Sequence, residues 1–140
     1  MSIFIDTGIW VGYFNIDDEQ AVRSSEILEE IQKGVYGVAW TSSFILDELY
    51  TFLERKTNDT QLAIEVIKVI LGEYTSLKPF VKIHPISVEN CIQTLDFAEK
   101  YSDKRMSFTD LTSILICQNL KIDCIASYDS HFKGLISMIS

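Results

Sequence analysis

The chain has 140 residues, 47% of them hydrophobic and 23% charged, which suits a single domain over 1–140 with a substantial core and argues against disorder. A formal net charge of −8 argues against tight, non-specific nucleic-acid binding through a basic surface. An enzyme acting on nucleic acid stays open, because bound divalent cations reverse the local sign of an acidic pocket.

No apolar run approaches the roughly 20 residues a membrane-spanning helix needs. The N-terminus lacks a basic region followed by a long apolar stretch, so no signal peptide is expected and the expected location is the cytoplasm. The cysteines Cys91, Cys117 and Cys124 are odd in number and form no C-x-x-C pair, which predicts buried free thiols rather than disulfides or a zinc site.

In chain order, Ser2–Ile5 reads as a strand and Thr7–Asn15 as a short helix. Glu19–Lys33 has helical periodicity through Val22, Ile27, Leu28 and Ile31, and Gly34 ends it. Val35–Trp40 is β-branched and aromatic and predicts a second strand. Thr41-Ser42-Ser43 supplies a helix start, and the helix runs to about Lys56. Thr57-Asn58-Asp59-Thr60 is a break with capping chemistry, followed by an amphipathic helix over Leu62–Tyr74. Phe80–Ile86 alternates and contains Pro85, so it predicts a short strand ending at a boundary. Ser87 caps a helix through Lys100, Tyr101–Met106 is a polar loop, and Ser107–Leu120 is a helix. Cys124–Ser127 and Leu135–Ile139 read as the last strands. Strands alternating with helices predict a three-layer α/β/α sandwich on a mostly parallel sheet.

Such sheets bind ligands beyond the carboxyl ends of their strands. Asp6 follows the first strand directly, in IFIDTGIW, and Asp129 follows the Cys124–Ser127 strand, in IASYDSHF. Asp6 has a rival role as a cap for the helix starting near Thr7. Asp129 has a rival role as a turn aspartate bonded to local backbone. Glu48 lies in SSFILDELYTFLERK. At ~100° per residue, Phe44 and Phe52 flank it one turn away on each side, while Asp47, Thr51 and Glu54 share another arc. Glu48 therefore sits at the edge of the apolar stripe, where a charge needs compensation by Arg55, by a metal or by a catalytic pocket. Asp110 lies in SFTDLTSILI, where Ser107-x-x-Asp110 also fits a capping box. Each signal is weak alone. Together they describe carboxylates that would repel one another at one sheet edge unless divalent cations or raised pKa values relieve them. Oxygen-only ligands favour Mg²⁺ or Mn²⁺ over zinc.

IFIDTGIW, SSFILDELYTFL and SFTDLTSILICQNLKIDCIASYDSHF together resemble the PIN-domain family, and within it the VapC-type toxins, over nearly the whole chain. The last segment is the most specific. It pairs a helix-opening aspartate with a second one after the next strand, followed by a short polar stretch and a phenylalanine. The family's four acidic positions fall on Asp6, Glu48, Asp110 and Asp129, and none is replaced. Its accompanying hydroxyls fall on Thr7 and Ser127. The resemblance implies a parallel α/β/α sandwich and a Mg²⁺- or Mn²⁺-dependent ribonuclease leaving 5′-phosphate and 3′-hydroxyl ends. It implies further that a small antitoxin silences the protein and that it is a homodimer. Asp6, Asp110 and Asp129 would then hold one or two ions, Glu48 would ligate or orient the attacking water, and Thr7 and Ser127 would support them.

Arg55 and Lys56 at the end of the Glu48 helix, Lys104 and Arg105 before Asp110, and Lys133 after Asp129 are candidate phosphate contacts, against the plainer reading of solvated surface charge. Asn15–Glu19 is acidic but lacks the ligand spacing of an EF-hand and reads as a solvated loop and cap. His84 and His131 lie in no H-E-x-x-H motif; His131 follows Asp129 closely enough to approach the site, against the plainer reading of a turn-surface residue. Trp10, Tyr13 and Phe14 fit either the core or a dimer or antitoxin surface. Rival functions are a housekeeping RNA-processing PIN nuclease, a non-catalytic PIN-like binding module, which would have lost acids, and an α/β phosphatase or phospho-acceptor. The last lacks its D-x-D spacing or its acidic pair with a strand-end lysine.

Overall fold

The computed structural model describes residues 1–73 and 80–140. Five strands form one sheet: β1 (Ser2–Ile5), β2 (Val38–Ser42), β3 (Val81–His84), β4 (Cys124–Ala126) and β5 (Ser137–Ile139). Their order is β3-β2-β1-β4-β5, and every pairing is parallel. The helices are α1 (Thr7–Phe14), α2 (Ala21–Gln32), α3 (Ser43–Thr57), α4 (Thr60–Leu71), α5 (Val88–Lys100) and α6 (Phe108–Asn119). Parallel neighbours need crossover connections, and these are right-handed in nearly all proteins. From β1 through β3 the chain steps one way, carrying α1–α4 over one face. From β3 it returns past β1 to β4, carrying α5 and α6 over the other. The packing follows this division: α1 against α2 and α3, α3 against α4, and α5 against α6. The three-layer α/β/α expectation holds.

The central strands β1 and β4 are buried on both faces and read as continuous apolar runs. Ile3, Phe4, Ile5, Ile125 and Ala126 have no exposed surface. Beneath and above them pack Ile9, Trp10, Ile27, Leu28, Ile45, Leu49, Leu53, Ile114 and Phe132. Gly12 is where α1 crosses α2. A Cβ there would collide with the Ser24 side chain, so a larger residue would push the helices apart.

Most predicted elements lie within a few residues of their places. The second strand is the main displacement. It was expected over Val35–Trp40 and runs over Val38–Ser42. Gly34 and Gly37 both have positive φ, and Gly37 N–H donates to Gly34 O, so residues 34–37 form a turn and Val35 is exposed. The helix expected over Leu62–Tyr74 begins at Thr60, capped by Asp59, and ends at Leu71 with Gly72 in the left-handed region. Tyr74 lies outside the described residues. Ser87 caps α5 in a reciprocal capping box with Asn90. The three cysteines are free; Cys117 and Cys124 are buried. Among the described residues no helix is long and apolar enough to cross a membrane.

Candidate active site

The chain leaves β1 toward β2 and β3 and returns after β3 to the other side of β1, so β1 and β4 are adjacent strands whose following loops diverge. A crevice opens there at the carboxyl edge. Asp6 leaves β1 at this point, with its N–H donating to Ala126 O at 3.0 Å. Ser127 leaves β4 beside it and donates its hydroxyl to Asp6 Oδ2 at 2.6 Å. The same Ser127 oxygen accepts from Asp129 N–H at 3.0 Å. One buried hydroxyl thus ties the first aspartate to the last.

Glu48 comes from α3, whose N-cap Ser42 accepts from Ile45 N–H. It is half-buried while Asp47 is exposed, as the helical spacing required. Thr7 donates its hydroxyl to Glu48 Oε1 at 2.6 Å. Among the described residues Glu48 forms no ion pair with Arg55. Asp110 sits in the first turn of α6. Ser107 accepts from Asp110 N–H at 3.1 Å, so the serine half of the capping box forms. Asp6 takes the position before α1 without capping it through its side chain. Asp129 does make the expected turn bond, its Oδ1 accepting from His131 N–H at 2.9 Å.

All four acids border one cavity of about 520 Å³, together with Thr7, Tyr128, Phe52, Asp18 and Glu19. Asp6 is only 6% exposed and Asp110 only 8%. Burial is the main cause that raises Asp6 to about 6; the Ser127 hydroxyl and Thr7 amide oppose it, and the charges of Glu48 and Asp129 add to it. Asp110 is raised to about 7, again first by burial, then by the charges of Asp6, Asp129 and Glu48. Among the described residues no lysine or arginine pairs with any of these acids. The donor set of hard carboxylate oxygens, lacking a cationic side chain, fits a divalent cation. One ligand atom each from Asp110, Asp129 and His131 lies within 4.8 Å of the others; Asp6 and Glu48 border the same cavity outside that group.

A second cavity, of about 570 Å³, adjoins the first through shared Glu48 and Phe52 and is lined also by Asp47, Thr51, Thr109, Arg55 and Lys56. Lys104, Arg105 and Lys133 line neither cavity.

Residues 3–135 match the PIN domain family. The chain belongs to that family. A VapC ribonuclease of Archaeoglobus fulgidus is 30% identical to this PIN domain over 142 residues, spanning 95% of this chain and 80% of that protein. Two solved structures share the fold. Mycobacterium tuberculosis VapC20, described as a sarcin–ricin loop cleaving toxin, aligns with TM-score 0.79 and 20% identity over 94% of this chain and 93% of its own. VapBC2 of Rickettsia felis, solved bound to a DNA fragment from its promoter, aligns with TM-score 0.68 and 15% identity over 99% and 98%.

Asp18 and Glu19 escape the sequence patterns: they read as solvated loop yet line the acidic cavity. His131 has the plainer reading of a turn-surface residue, and it is its alternative, an approach to the site, that the fold realises beside Asp110 and Asp129. The spacing of His131 from Asp129 was the one available signal, since an aspartate turn folds the residue two positions on back toward the carboxylate.

Proposed function

We propose that this PIN domain is a Mg²⁺- or Mn²⁺-dependent endoribonuclease that hydrolyses RNA phosphodiester bonds. It acts in the cytoplasm as the toxin of a toxin–antitoxin pair, as a homodimer held silent by a small cognate antitoxin. The observation that carries this reading is the gathering of Asp6, Glu48, Asp110 and Asp129 on one cavity at the carboxyl edge between β1 and β4. The 30% identical VapC ribonuclease supports the same chemistry.

Asp6, Asp110 and Asp129 hold the ion or ions. When bound, the ion lowers the pKa of the attacking water and offsets charge on the phosphate oxygens. Glu48, fixed by Thr7, orients the water. Ser127 keeps Asp6 in place and links it to Asp129. Because burial raises Asp6 to about 6 and Asp110 to about 7, loading the site at mildly acidic pH should release protons. Arg55 and Lys56, which line the adjoining cavity, would contact RNA phosphates there. Lys104, Arg105 and Lys133 have the weaker claim to such contacts.

Incubating the protein with RNA, with and without EDTA, tests the proposal. Cleavage should stop in EDTA, return with Mn²⁺ or Mg²⁺, and be lost in Asp6→Asn. EDTA-resistant cleavage, or wild-type rates from Asp6→Asn, would overturn it.

A further inference from the structure

His131 is held toward the acids by three separate features. Phe132, with no exposed surface, anchors the 3₁₀ turn Ser130–Phe132 in the core. Asp129 Oδ1 accepts from the His131 backbone N–H at 2.9 Å, which folds the turn back on the carboxylate. The ring then places Nδ1 2.9 Å from that same Oδ1. Although the side chain is 44% exposed, Nδ1 itself is shut off from solvent, and despite its closeness to Asp129 Oδ1 it makes no aligned hydrogen bond. A buried imidazole nitrogen without a partner is uncommon, because leaving it unpaired costs about 1–3 kcal/mol.

The spacing offers a reason. An octahedral ion with bonds of about 2.1 Å sets neighbouring ligands about 3.0 Å apart and opposite ones about 4.2 Å apart. The Nδ1–Oδ1 separation matches the first of these distances, and one ligand atom each from Asp110, Asp129 and His131 lies within 4.8 Å of the others.

We propose that His131 supplies a nitrogen ligand to the ion held by Asp110 and Asp129. The inference rests on the metal-dependent reading above. Imidazole favours later first-row metals over Mg²⁺, so this ligand would tilt the site's preference toward them.

Pulsed EPR of the protein loaded with Mn²⁺ reads the ligand directly through ¹⁴N hyperfine coupling. Wild type should show the coupling and His131→Gln should lack it. His84→Gln, which removes the other histidine, should keep it. The Co²⁺ dissociation constant should rise about tenfold in His131→Gln, with the Mg²⁺ constant moving less than about twofold. Mn²⁺ bound to wild type without nitrogen coupling would overturn the role of His131 and leave the acidic metal site standing. Failure of wild type to bind Mn²⁺ at all would overturn both.

Discussion

Strands β1 and β4 are fastened at both ends by a serine and an aspartate, and the two fastenings do different work. At the amino end Ser2 donates its N–H and its hydroxyl to Asp123 Oδ2, at 2.8 and 3.0 Å, in an exposed setting. At the carboxyl end Ser127 donates to Asp6 Oδ2 at 2.6 Å, fully buried. Residue types and strand pair are the same. What differs is company: Asp123 has water, whereas Asp6 has Glu48, Asp110 and Asp129 around one cavity. A carboxylate among carboxylates away from water is unstable as a bare anion, and that instability suits it to the cation-ligand role proposed above rather than to that of a clasp. Function at this edge follows from which acids the fold adds, not from the hydrogen bond they share.

The largest effect should come from breaking the acidic end. Asp6→Asn and Asp110→Asn should each lower RNA cleavage on the order of 10³-fold, equivalent to about 4 kcal/mol of barrier. Asp123→Asn should leave cleavage within about twofold in the same assay.

The next largest effect is on stability without metal. The carboxyls of Asp6 and Asp110 hold their protons more tightly when folded than when unfolded. Their contribution is fully present below the ordinary carboxyl value, near pH 4, and is lost as pH rises through about 6 and 7. Thermal melts in EDTA should show about 1–3 kcal/mol lower stability at pH 8 than at pH 4.5 from these groups. Mn²⁺ should restore stability at pH 8, and Asp6→Asn should flatten the slope. Asp123→Asn should preserve the slope.

Smaller effects sharpen the contrast. Ser127→Ala should lower cleavage about tenfold by freeing Asp6, with Mn²⁺ titration showing weaker binding. Removing the hydroxyl half of the clasp with Ser2→Ala should cost about 1 kcal/mol in denaturant melts and leave cleavage and metal affinity unchanged. Smallest of all, Arg55→Ala should raise KM a few-fold with kcat nearly intact and reduce the salt slope of RNA binding by about one unit.

Much of this was legible in local patterns because strands β1 and β4 and the acids that follow them are local features. Asp6 and Asp129 announce themselves by standing just past buried apolar runs. Glu48 does so by interrupting an apolar helical stripe. Asp110 was ambiguous because a capping box and a site use the same first-turn position, and in the fold Ser107 does cap α6 while the Asp110 carboxyl faces the cavity. The strand at Val38–Ser42 was displaced in sequence because β-branched content does not reveal that Gly34 and Gly37 turn the chain first. Asp18 and Glu19 were hidden for another reason. Which loop closes over the sheet edge depends on tertiary packing, and no periodicity within the loop encodes it.

The central claim is that Asp6, Glu48, Asp110 and Asp129 form one cup for a divalent cation. Crystals soaked in Mn²⁺ and measured at an energy where manganese scatters anomalously test it most directly. The account predicts an anomalous peak within bonding distance of the Asp110 and Asp129 carboxylates, inside the cavity that Asp6 and Glu48 border. A Mn²⁺-saturated crystal with no peak in that cavity, or with its peaks on other faces, would contradict it.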